Sequence, residues 1–171
     1  MTGGGRAASG RGHLPDLGPR GEGWVVGQLA LIGLVIVLGV RGLRHLPPDT
    51  LIGWLGLVVG AAAIVAGAWL VVRAVADLGA SLTPMPRPRA DGRLIESGIY
   101  ARIRHPIYAG LMLASFGWSA LTGSIGAFAT ALVLAALLDA KARREETWLL
   151  ERYDAYAEYR RRSKRFVPGI Y

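Results

Sequence analysis

GIYARIRHPIYAG, residues 98–110, places Tyr100, Arg102, Arg104, His105 and Tyr108 within nine residues, directly before a long run without charge. Pro106 has no N–H and a fixed φ, so it suits the first turn of a helix that begins here. His105 is then pushed out of helical geometry and falls near the N-cap. The first N–H groups of such a helix have no acceptor within it and can receive an anion. Arginine and tyrosine also serve as snorkelling anchors and interfacial aromatics at a membrane edge, and each residue alone fits that role. The whole string describes a cationic, aromatic, N–H-rich pocket at a bilayer surface, suited to a charged cofactor.

Downstream, residues 106–138 carry no charge. Thirty-three residues are too many for one span and somewhat short for two. Thr122-Gly123-Ser124 interrupts them, which predicts a tight hairpin: Pro106–Leu121 out, Ile125 to about Leu138 back. Upstream, Trp24–Val40 is seventeen uncharged residues and Leu51–Val72 is twenty-two. Arg41, Arg44, Pro47 and Pro48 make a poor cleavage site, so the first run reads as a retained span and not a signal peptide. Gly56 and Gly60 form a small-xxx-small pair that allows close helix approach. The expected fold is all-α: an integral membrane helical bundle of about four transmembrane helices plus a C-terminal cytoplasmic helix. With 171 residues, 52% hydrophobic and 19% charged, the chain fits one such domain, residues 24–171, behind a Gly-, Arg- and Pro-rich disordered tail, residues 1–23. Arg73–Arg104 reads as a polar connection. It holds the Pro-rich run Thr83–Pro88, a turn at Asp91-Gly92, and Leu94 and Ile95 dipping back to the protein. Its length makes it a candidate lid.

Segments 1–23, 73–105 and 139–171 hold eighteen of the twenty Lys and Arg residues. That asymmetry predicts a multi-pass protein of the plasma membrane with both termini and the 98–110 string on the cytoplasmic side. The net charge is +8, and because the basic residues flank apolar spans they predict anionic membrane lipids as partners and no nucleic acid. The chain has no cysteine, which excludes disulfides, thiolate metal sites and a cysteine nucleophile. His13, His45 and His105 have no ligand spacing, so no metal is expected.

A second string, DAKARREETWLLERY at residues 139–153, follows the last span. No Gly or Pro intervenes before Pro168, so the fourth span is expected to continue as a helix out of the membrane. Lys141 and Glu145 share a face, and Glu145, Trp148, Leu149 and Arg152 follow at helical spacing. Tyr153, Tyr156 and Tyr159 form an aromatic stripe suited to packing on the membrane surface or the connection. Taken alone, Glu145-Glu146 reads as a solvated turn paired with Arg143 and Arg144.

Together, Gly98-x-Tyr100, Arg104-His105-Pro106-x-Tyr108-x-Gly110, Glu145-Glu146, the tyrosines and Phe166-Val167-Pro168 resemble the isoprenylcysteine carboxyl methyltransferase family. The phospholipid N-methyltransferases share much of this pattern. The resemblance covers about residues 77–171. Tyr153-Asp154 stands where the family often has Phe-Gly, and Lys141 where it frequently has Arg. The resemblance implies a membrane methyltransferase that moves a methyl group from S-adenosylmethionine to a lipophilic acceptor, either an isoprenylcysteine-like carboxylate or a lipid amine. It implies a cofactor site of Tyr100, Arg104, His105, Pro106, Tyr108, Lys141, Glu145 and Glu146. Arg104, His105 and the N–H groups after Pro106 suit the cofactor's carboxylate. The glutamates suit its amino group or ribose, and the tyrosine faces suit the adenine or sulfonium. No catalytic residue is assigned, because methyl transfer needs positioning and desolvation more than a strong acid or base. Two other classes remain: a nicotinamide-dependent membrane reductase of the sterol-reductase type, which usually has more spans, and a non-enzymatic membrane scaffold.

Overall fold

The computed structural model describes residues 15, 17–19, 21–45, 48–83 and 93–171. Most of the expected tail, and most of the Pro-rich run with the turn after it, lie outside these residues. The described residues hold five α-helices: α1 Glu22–Val40, α2 Leu51–Leu78, α3 Pro106–Thr122, α4 Ile125–Arg152 and α5 Tyr156–Arg162. α1 runs on through a 3-10 turn at Arg41–His45. No strand occurs among the described residues, which hold a single isolated parallel bridge, Ile103 to Lys164.

Local chemistry sets the helix ends. The Thr50 hydroxyl caps α2 by accepting from the Gly53 N–H at 3.1 Å. The Ser124 hydroxyl caps α4 by accepting from Ala127 N–H at 3.2 Å, and it donates to the Leu38 carbonyl of α1 at 3.1 Å. Pro106 occupies the first turn of α3, behind His105 at the N-cap.

α2 packs on α3, and α1 packs on α4. The α2–α3 seam is backbone against backbone. A Cβ on Gly60 would lie 2.5 Å from the Gly117 carbonyl, and one on Gly67 would lie 2.6 Å from that of Gly110. The α1–α4 seam holds Val35, Ala127 and Ala131, flanked by Leu38, Phe116 and Trp118. Large apolar side chains on α1 and α2, among them Val26, Ile52, Val58 and Trp69, face outward. This reverses the soluble pattern and leaves an apolar girdle for lipid. α1 with its 3-10 extension, α2 and α4 are each long and apolar enough to cross a bilayer. α3 has 17 residues, which gives a length of about 25 Å, at the short end for a span. The molecule is a membrane helical bundle.

One boundary differs from the sequence reading. The second span does not stop at Val72, because α2 continues to Leu78. Arg73 and Asp77, one turn apart, pair at 2.9 Å and carry the helix onward, and the Asp77 carboxylate also accepts the Ile99 N–H at 2.8 Å. The connection therefore begins at Gly79. α4 does continue past Leu138 as a helix, as expected. It ends at Arg152, and the chain turns into α5 so that residues 163–165 can return to residues 102–105.

Candidate active site

The 98–110 string is held from three directions. Gly98 adopts φ +60°, and a side chain there would collide with the Asp77 carboxylate, so this corner requires glycine. The Tyr159 hydroxyl donates to the Tyr100 carbonyl at 2.7 Å. The returning chain then pairs with the string as a short ladder: Arg104 N–H to Lys164 O at 2.8 Å, His105 N–H to Arg165 O at 3.1 Å, and Lys164 N–H to Arg102 O at 3.0 Å. These bonds fix Arg104 and His105 at the start of α3.

The two glutamates of α4 separate into different roles. The Glu146 carboxylate is almost fully buried and sits at the centre of a cation cluster. It accepts from Arg104 Nε at 2.9 Å and from Arg165 Nε and Nη2, both at 3.1 Å. His105 Nε2 lies 3.4 Å from Glu146 Oε1 without the alignment of a hydrogen bond. Arg104 is tied further to the carbonyls of Arg160 and Ser163. Arg165 is tied to Asp139 at 3.0 Å and to the Tyr171 hydroxyl at 2.7 Å. Glu145 accepts from the Tyr108 hydroxyl and faces His105 Nδ1 at 3.4 Å. The His105 and Tyr108 rings stack with centroids 5.5 Å apart.

Charge on His105 follows from this setting. Burial drives the imidazole pKa down, but the Glu145 and Glu146 carboxylates, each 3.4 Å from a ring nitrogen, outweigh burial, and the net shift is upward from 6.5. Burial raises the pKa of the Tyr100 and Tyr156 phenols and pushes Tyr159 up to about 12. These phenols stay protonated at neutral pH and can donate hydrogen bonds but not serve as bases.

A cavity of about 470 Å³ opens beside this cluster, within the range of small-molecule sites. Seven of the eight residues picked out from the sequence line it: Tyr100, Arg104, His105, Pro106, Tyr108, Lys141 and Glu145. Glu146 does not line it and stands behind, holding Arg104 and His105. Leu94 and Ile95 do return to the wall. Tyr153, Tyr156 and Tyr159 also face the cavity, so the aromatic stripe is part of the site. The Tyr156 hydroxyl is buried without a hydrogen-bond partner on that wall.

Sequence reasoning missed several contributors. Gln28 of α1 lines the cavity and accepts from Lys141 Nζ at 2.7 Å. Its signal was available, as an amide side chain inside an otherwise apolar span. Val75 and Leu78 were lost with the misplaced end of α2. Asp139, Arg165 and Tyr171 gave no periodic signal, because their association depends on the returning chain. Among the described residues no cluster of His, Cys, Asp or Glu could hold a metal.

A membrane helical bundle with a cationic, aromatic cavity at one end of its spans is thus the class that fold and site define. Residues 55–156 match the family model for phospholipid methyltransferase, and the chain belongs to that family. It is 35% identical over 83 residues to the cobalt-zinc-cadmium resistance protein CzcN of Cupriavidus metallidurans, covering 48% of this chain and 38% of that protein. It is 32% identical over 82 residues to a protein-S-isoprenylcysteine O-methyltransferase of Schizosaccharomyces pombe, covering 47% and 35%. The matches thus span little more than a third of these relatives' own lengths.

Proposed function

We propose that this protein is an S-adenosylmethionine-dependent methyltransferase acting on a lipophilic acceptor where the bilayer meets the cytoplasm. The observation that carries the reading is the cavity itself. One wall is cationic and phenolic and the other is apolar, and the family residues converge on it. The donor set fits S-adenosylmethionine. Arg104, His105 and the first N–H groups of α3 form an anion seat for the amino-acid carboxylate. Glu145 faces the cavity as the carboxylate for the amino group or the ribose. The unpartnered Tyr156 hydroxyl is a donor in place for adenosine, and Tyr100 and Tyr108 offer ring faces to the base or the cationic sulfur. When bound, the cofactor supplies an electrophilic methyl group.

The residues of the chain supply position and dryness. Glu146 acts at one remove, orienting Arg104 and His105. Val25, Leu29, Val75 and Leu78 form the apolar wall, which accepts a hydrocarbon chain from the bilayer and excludes water. No acid–base residue is required, in keeping with phenols that stay protonated. Gln28 holds Lys141 over the Tyr108 ring at the cavity wall.

Titration calorimetry of the purified chain with S-adenosylmethionine and, separately, with NADPH tests the reading. Saturable binding of the first and none of the second is expected. Binding of NADPH alone would move the chain to the reductases, and binding of neither would leave a scaffold.

A further inference from the structure

Residues 166–171 form a tight turn that presents apolar side chains to the outside. Pro168 has a fixed φ, and Gly169 sits at φ +79°, in the left-handed region that favours glycine. The Ile170 and Tyr171 N–H groups return to the Val167 carbonyl at 3.1 and 3.2 Å, and the Phe166 and Val167 N–H groups both reach the main-chain oxygen of Tyr171 at 2.7 Å. The backbone is satisfied within the turn, yet Ile170 is 80% exposed and Val167 45%. Two contacts fix the depth of this turn along the spans. At one end, the Phe166 and His105 rings lie with centroids 6.1 Å apart, and His105 is the N-cap from which α3 begins its uncharged run. At the other end, the Tyr171 hydroxyl donates to Asp139 at 3.1 Å, and Asp139 is the first charged residue after the uncharged run of α4. The turn between them therefore stands where both helices change from apolar to charged, which is the level of a bilayer interface. Arg102 and Lys164, paired through the Lys164 N–H and the Arg102 carbonyl at 3.0 Å on the way into the turn, are both exposed.

We propose that residues 166–171 are a bilayer anchor: Ile170 and Val167 enter the interfacial zone of the leaflet at this end of the spans, and Arg102 and Lys164 take anionic lipid headgroups beside them. The proposal is independent of the methyltransferase reading. A second copy of the chain is the poorer occupant, because a two-fold contact through this turn would set the cations of one copy against those of the other. Lipid is already at this depth and supplies both an apolar layer and negative charge. Tyr171 suits the same position, with its hydroxyl on Asp139 and Arg165 and its ring 47% exposed, as an interfacial aromatic. The anchor also braces what lies behind it. Arg165 enters the turn and bonds the buried Glu146 carboxylate, so a turn seated in lipid holds the returning chain against the start of α3. These residues lie outside the matched stretch 55–156, so the anchor belongs to this chain's own C-terminal segment.

The chain has no cysteine, so Ile170→Cys and Glu151→Cys each create a single thiol for an environment-sensitive nitrobenzoxadiazole label. Glu151 is exposed near the end of α4, about 18 Å along the axis from Asp139, and serves as the aqueous control. The full chain is placed at one copy per nanodisc, in phosphatidylcholine with and without phosphatidylglycerol. Lipids carrying a nitroxide at the upper end of the acyl chain quench from the membrane, and acrylamide quenches from water. The label at 170 should be quenched by the nitroxide lipid about threefold more than the label at 151, and be shielded from acrylamide. Phosphatidylglycerol should strengthen the nitroxide quenching, and Arg102→Gln with Lys164→Gln should remove that gain. Equal access of acrylamide to both labels overturns the anchor. A label at 170 shielded from acrylamide but out of reach of the nitroxide would mean that protein covers the turn, which also overturns it. Quenching indifferent to phosphatidylglycerol overturns the assignment of Arg102 and Lys164 to anionic headgroups.

Discussion

Replacing Glu146 with glutamine keeps the shape of the side chain and removes the anion that a buried cation cluster shares. Arg104 and Arg165 bond the carboxylate at 2.9–3.1 Å, His105 stands at 3.4 Å, and the side chains concerned are at most one-tenth exposed. The amide oxygen can keep the bonds at one position, but the amide NH₂ then opposes Arg165 Nη2, donor against donor. Removing one partner of a buried pair costs about 3–5 kcal/mol. Arg165 retains Asp139 and Tyr171, and Arg104 retains two carbonyls, so the low end applies, about 3 kcal/mol. For a chain of 171 residues that lowers the thermal midpoint by roughly 6–12 °C. Glu145→Gln should differ. Its carboxylate faces the cavity, the amide oxygen can still accept from Tyr108, and the midpoint should fall by only about 1 kcal/mol equivalent, while S-adenosylmethionine affinity drops roughly tenfold or more. The assay is thermal unfolding of both variants in one detergent, with calorimetry on the folded protein. Equal midpoint losses for the two, or a Glu146→Gln midpoint within about 1 °C of wild type, would refute the division of roles.

Other outcomes follow from the same contacts. The pKa of His105 is raised on folding, so its stabilising charge is fully present below 6.5 and is lost as pH rises through the higher folded value. The thermal midpoint of wild type should fall across that window, and His105→Gln should flatten the dependence. Gly60→Val would drive side-chain carbon into the Gly117 carbonyl and should cost about 1–3 kcal/mol in detergent unfolding, whereas Gly33→Ala, with nothing within 4 Å, should be neutral or stabilising. Reporter fusions after Thr50 and after Gly123 should read as external if the basic asymmetry sets topology, and a cytoplasmic signal at either would reverse the orientation of the bundle.

The parts legible in the sequence were those with local causes. Apolar runs, a Pro at a helix start and a Gly in the hairpin turn are properties of a few neighbouring residues, and they mark α1, α3, the hairpin and the start of α4 nearly to the residue. The end of α2 is not legible from hydropathy, because Arg73 closes the apolar run while its pairing with Asp77 continues the helix. Glu145 and Glu146 could not be told apart in the sequence, since adjacent helical positions point about 100° apart and nothing local says which faces the cavity. Only the return of residues 163–165 turns Glu146 into a cluster centre. The tyrosine stripe was readable as a stripe, but its burial against the cavity depends on the break at Tyr153, which the sequence did not announce.

The site is therefore made of two kinds of part. The matched stretch, residues 55–156, supplies the α3 start and the glutamates. Gln28 comes before that stretch, and Tyr159, Arg165 and Tyr171 come after it. These residues hold the matched ones in place: Gln28 on Lys141, Arg165 on Glu146, Tyr159 on the Tyr100 carbonyl. The two sets of residues meet at Lys141, Glu146, the Tyr100 carbonyl, the Arg104 guanidinium and the backbone ladder of residues 102–105, so the flanking residues hold the cavity wall from both sides. Substitutions at Arg165 should therefore lower the thermal midpoint and S-adenosylmethionine affinity together, and calorimetry on the folded variant checks the second.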